Sequence, residues 1–156
     1  MRKELEAGIL RAALYVLTLA VIPWAAMSRV SPEILSYVAQ VGVDVSGILR
    51  TIVISGVVLA ILALIGSLDS SRSLTSLSAK LSSTLVTLYL GIYLLSLGKP
   101  STLGRVILTQ PTEGTEMSLL LDFRGIILLL VVGTIFSASY HIATFWSACR
   151  EAGEPA

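Results

Sequence analysis

His141 is the only histidine in the chain. It stands near the end of a long apolar run, in the stretch "SASYHIATFW". Gly133, Ser137, His141 and Thr144 follow one another at steps of four, four and three, with Tyr140 beside them, so a helix would carry them on one face. In the first apolar run Glu4, Arg11, Tyr15 and Thr18 fall on one helical stripe, and in the third Ser83, Thr87 and Gly91 recur every four residues. Lys80 stands at the edge of that third run. An imidazole, a phenol, several hydroxyls and two cations suit a polar pocket for an anion or a lipid phosphate. The candidate pocket is therefore Arg11, Tyr15, Lys80, Ser83, Ser137, His141 and Thr144, with Glu4, Glu6 and Asp69 as sources of counter-charge. The plainer reading is ordinary helix packing through small residues and Ser/Thr hydrogen bonds, with cations near helix ends reaching water along their own stems.

Other chemistries fail for want of residues. One His and one Cys, Cys149, build no structural zinc site, and a lone Cys closes no disulfide within the chain. The sequence has no P-loop, no paired carboxylates and no metal-ligand spacing. Ser55-Gly56 lacks the surroundings of a nucleophile elbow. A Ser55–His141 dyad fails on depth, because Ser55 lies about 8 Å and His141 about 24 Å from the start of its own run on the same side. No cofactor, no metal and no catalytic residue is expected. A net charge of +1 offers no basic stripe for nucleic acid. Arg50 and Asp122 stand at the starts of two runs that begin on one face, which predicts an interhelical ion pair.

The elements that must position these residues follow from composition. Of the 156 residues, 54% are hydrophobic and 13% charged, against roughly 25% charged in a soluble domain. Such a chain belongs in a bilayer, which solvates apolar surface on every side. Four runs, approximately 7–27, 48–68, 78–98 and 122–148, approach the ~20 helical residues that cross ~30 Å of hydrocarbon. The first run competes with a secretory-signal reading, through Arg2, Lys3, Ala25 and Ala26. Glu4, Glu6 and Arg11 and the lack of a clean cleavage pattern favour a retained span. The small residues Ser55, Gly56, Ala60 and Ala63 form a seam for close helix approach.

Between the runs, Ser31, Pro32 and Glu33 are a helix start, and Ile34, Leu35, Val38 and Val41 share a face. Ser31 to about Val41 is predicted as a short interfacial helix; a strand paired with Arg105–Gln110 is the alternative. Asp44 or Ser46 caps the second run. A leucine stripe starts the third helix near Ser73. "RVILTQ" reads as extended, and Thr115 reads as the cap of a helix leading through "SLLLDFR" into the fourth run. Lys and Arg divide six to five between the two sides, which hardly orients the chain.

The expected fold is an all-α integral membrane protein: one transmembrane domain, an antiparallel four-helix bundle in the cell membrane. Its expected partners are the lipid bilayer and other membrane subunits or further copies of itself. The expected function is that of a non-enzymatic packing subunit in a larger membrane assembly. A homo-oligomeric channel or small-solute or anion transporter is the first alternative, and a lipid-handling protein with a cationic pocket the second.

Overall fold

The computed structural model describes residues 2–68, 73–112, 115–151 and 153. The chain is mostly helical. Four helices are long and apolar enough to cross a membrane: Glu6–Met27, Val45–Leu68, Leu74–Leu95 and Arg124–Arg150. The connection containing Asp69, and Gly114 in the later loop, lie outside the described residues, as does the side chain of Glu4.

The first of these is continuous but irregular. Helix α1 (Arg2–Val16) passes through a π-helical turn (Leu17–Val21) into α2 (Ile22–Met27). Pro23 causes this: it has no N–H to donate, and its ring would collide with the carbonyl four residues back. The extra residue of the π turn absorbs the mismatch, and the Ile22 N–H donates to the Leu17 carbonyl. Helix α3 (Pro32–Gln40) starts as its sequence predicts, with Ser31 accepting from the Ile34 N–H. At the start of α4 (Val45–Leu68) Asp44 is the cap: its carboxylate accepts from the Gly47 N–H at 2.9 Å and the Ser46 hydroxyl at 2.7 Å. Those two bonds, the Gly47 one foremost, hold the Asp44 carboxyl below the usual carboxylate range. Its contribution to stability is therefore complete above the unfolded pKa of about 3.9 and disappears as pH falls through the lower folded value. Thermal melting of Asp44→Ala in detergent should give a lower midpoint than the native chain at pH 7, with the difference closing in strong acid; a constant difference would refute the cap.

Helix α5 (Leu74–Leu95) begins at Ser73, whose hydroxyl accepts from the Thr75 N–H. It ends in a reversal in which Leu97 and Gly98 take positive φ and the Gly98 N–H donates to the Tyr93 carbonyl. The segment between α5 and the fourth long helix corrects the all-α expectation. Strands β1 (Arg105–Thr112) and β2 (Thr115–Asp122) form an antiparallel hairpin, with Arg105 opposite Asp122 and Thr112 opposite Thr115. Thr115 caps no helix. Read alone, three successive leucines fit a helix as well as a strand; β1 decides by supplying partners for the β2 backbone. Helix α6 (Arg124–Glu151) starts only after Asp122, whose carboxylate accepts from the Arg124 N–H.

The helices pack in the order α1 on α4, α4 on α5, α5 on α6. Small residues make up most of their buried positions. Ala12, Ala60, Ala79, Ser55 and Ser76 are buried with Leu59 and Leu90, while Leu128, Phe136 and Trp146 are exposed. A Cβ on Gly8 would fall on the Ser67 hydroxymethyl, and one on Gly56 would lie 2.7 Å from the Leu19 Cβ. Ser76 donates across to the Gly66 carbonyl at 3.0 Å. In a bilayer, burying apolar area would gain little between such helices, and close backbone approach and such bonds would hold them together.

Candidate functional site: a cationic groove between α1 and α6

Because the helices pack in a row, the polar stripes do not meet in a closed interior. They meet in a groove of about 460 Å³, with α1 on one side, α6 on the other and α5 as its floor. Arg11 and Tyr15, one turn apart, come from α1; Lys80 and Ser83 come from α5; Ser137 and His141, one turn apart, come from α6. Six of the seven candidate pocket residues thus line one groove. The seventh, Thr144, is exposed and not in the lining; its hydroxyl donates to the Tyr140 carbonyl at 2.7 Å. Arg11, Tyr15, Lys80 and Ser83 also line a second cleft of about 240 Å³, between α1, α4 and α5, which continues to Ser67 and Ser76. These four side chains stand between the two clefts.

Comparison with known families, with characterised proteins and with solved structures finds no match. The chemistry of the groove is therefore read from its own atoms.

Most of its hydroxyls are occupied. Ser83 and Thr84 donate to the Lys80 carbonyl at 2.8 and 2.9 Å, Thr87 to Ser83 at 2.9 Å, and Thr134 to Leu130 at 2.7 Å. Back-bonding of this kind also explains why Thr18 and Thr144 are tolerated on exposed faces. A polar stripe in these helices therefore does not have to turn inward. The side chains of Arg11, Tyr15, Lys80, Ser137 and His141 have no hydrogen-bond partner among the described residues, so their donors are free for a ligand. The His141 ring lies edge-on to Tyr140 at 5.8 Å and within electrostatic range of Lys80. None of the described residues lining either cleft is acidic. Glu6 is exposed, outside the lining.

Arg50 and Asp122 are not brought together: no salt bridge joins them among the described residues, and Asp122 is engaged at the start of α6. Sequence reasoning missed Leu129, Leu130 and Thr134, which line the far part of the groove, and the contact of Gly8 with Ser67. The stripe through Gly133 and Ser137 pointed to that face of α6.

Proposed function

We propose that the chain is a multi-pass membrane protein that binds a phosphate-bearing or similar anion in the groove between α1 and α6. The observation that carries this reading is the meeting of Arg11 and Lys80 from different helices, beside Tyr15, Ser137 and His141, with no acid among the described lining residues. Two like charges at one edge of a low-dielectric slab favour a counter-ion, and a lipid phosphate or a free phosphate supplies it.

The four helices are taken as spans of alternating direction, and the contacts support this. Gly8 lies against Ser67 and Gly56 against Leu19, with equal spacing on both helices in reversed order. Gly91 lies against Leu130, and Lys80 within range of His141, with the same reversal. Arg11, Lys80 and His141 then share one depth, near the headgroups of the side that holds both termini. On this reading α3, with Ile34 exposed, lies at the opposite interface.

Each basic residue near anionic lipid is worth about 1 kcal/mol. Arg11→Gln or Lys80→Gln should therefore weaken binding of phosphatidate in nanodiscs about fivefold, and the double variant about 30-fold. Glycerol 3-phosphate as competitor distinguishes a free phosphate from a lipid headgroup. Unchanged affinity in the double variant would remove the reading.

A packing subunit is the second reading. It is favoured by the hairpin, where Ile107, Leu119 and Leu120 are exposed beyond the helices in a ribbon of only two strands. The mass of the same preparation in mild detergent separates the two: a heteromeric particle selects the subunit.

A further inference from the structure

The groove is not uniform along its length. The donors without a partner among the described residues, on Arg11, Tyr15, Lys80, Ser137 and His141, cluster towards one end. Beyond them the lining is Gly133, Leu129 and Leu130, with the hydroxyls of Thr87 and Thr134 turned back onto their own helices. A threonine bonded in this way lends the groove little donor capacity. From His141 to Leu129 the groove runs about 18 Å along α6, close to one leaflet of a ~30 Å hydrocarbon slab. At the far end α5 and α6 draw together, where a Cβ on Gly91 would meet Leu130 at 3.0 Å. At Gly133, by contrast, nothing lies within 4 Å of where a Cβ would be. The space is therefore a furrow, polar and cationic at one end and apolar at the other.

We propose that the occupant is a lipid held lengthwise, with its phosphate at Arg11 and Lys80 and one acyl chain lying in the furrow past Gly133 towards Leu130. The inference rests on the anion-binding reading and adds the class of ligand and its orientation. A free phosphate would satisfy the cationic end and leave the apolar part without a purpose. A neutral lipid would fill the apolar part and leave the two cations uncompensated. A phosphate-bearing lipid satisfies both ends at once. It can enter sideways from the leaflet, because α1 and α6 each pack on another helix instead of closing over the groove.

The test is photo-crosslinking of the purified full chain in nanodiscs, with a lysophosphatidate that carries a diazirine midway along its chain. The matching monoacylglycerol, which lacks the phosphate, is the control. Peptide mapping should place the native crosslinks on Leu130, Gly133 and Thr134 of α6 and on Thr87 of α5. Lys80→Gln should reduce their yield several-fold, and the monoacylglycerol should label these positions weakly. Gly133→Leu places a side chain in open space, so the helix forms while the furrow is filled. Its crosslinks should move to the outward residues Leu128 and Phe136. Crosslinks spread evenly over the outward face of the native chain, yet still reduced by Lys80→Gln, would overturn the lengthwise lipid and leave anion binding standing. Labelling indifferent to both the phosphate and Lys80 would overturn both.

Discussion

Gly56→Leu should detach the first helix from α4 and lower the thermal midpoint in detergent more than any substitution in the groove. The Cβ of a residue at position 56 would lie 2.7 Å from the Leu19 Cβ and 3.4 Å from both the Leu19 carbonyl carbon and the Tyr15 carbonyl oxygen. Two of those three atoms are backbone, so no rotamer change relieves the contact. The opposing segment is the π turn at Leu17–Val21, which Pro23 already constrains. The first helix must therefore move away as a body. Overpacking of this kind costs about 3 kcal/mol, and lipid offers nothing to offset it, because separated helices are as well solvated by hydrocarbon as packed ones. The same movement carries Arg11 and Tyr15 out of the groove, so phosphatidate affinity should fall with the midpoint. Gly133→Leu is the matched control: the same change on a helix glycine with open space should leave the midpoint unchanged or raised. Equal melting of native, Gly56→Leu and Gly133→Leu proteins would show that the helices do not meet at Gly56.

Gly104→Val should release the hairpin and the start of α6 together. Gly104 has φ of +81°, where a β-branched residue is strained by about 1–2 kcal/mol. A Cβ there would lie 2.6 Å from the Ile127 Cδ1 and 3.3 Å from the Phe123 carbonyl carbon. The backbone of Gly104 is also fully used: its N–H donates to the buried Ser96 hydroxyl at 3.0 Å, and its carbonyl accepts from the Phe123 N–H at 2.8 Å. Three segments are joined there: the end of α5, the root of β1 and the first turn of α6. Leaving either buried group without its partner costs about 1–3 kcal/mol, so the total loss should be about 3 kcal/mol or more. Hydrogen exchange read at the amides of Gly104, Phe123 and Ile127 should accelerate in concert, while that of α4 stays slow. Ser96→Ala removes one bond without backbone strain and should give a smaller acceleration at Gly104. Normal protection in Gly104→Val would mean that the junction is held elsewhere.

This junction bears on the groove as well. Ile127 is buried beside Gly104, and Leu130 comes one turn later on α6. Anchoring α6 at its first turn and at the Gly91–Leu130 contact leaves its later part, through Ser137 and His141, standing off as the wall of the groove. The architecture thus separates a part that packs from a part that lines.

The sequence alone was sufficient for four apolar helices long enough to cross a membrane. Apolar runs of helical length are decided by composition, because the preference for hydrocarbon adds residue by residue and needs no partner. The helix starts at Ser31 and Ser73 were equally legible, and that at Asp44 was narrowed to Asp44 or Ser46, since a cap bonds to an amide two or three residues away. The polar residues on each helix were legible from spacing, and six of them do share one groove. Tertiary structure decided the rest, in each case because the deciding partner is distant in sequence. Thr115 to Asp122 became a strand because Arg105 to Thr112 pairs with it. Asp122 accepts from the Arg124 amide and forms no ion pair with Arg50 among the described residues. Thr144 falls outside the groove lining, exposed, with its hydroxyl bonded to its own helix. Above all, periodicity says which residues share a face but not which faces meet. A closed bundle would have buried the polar stripes against one another; helices packed in a row left them on the walls of an open groove.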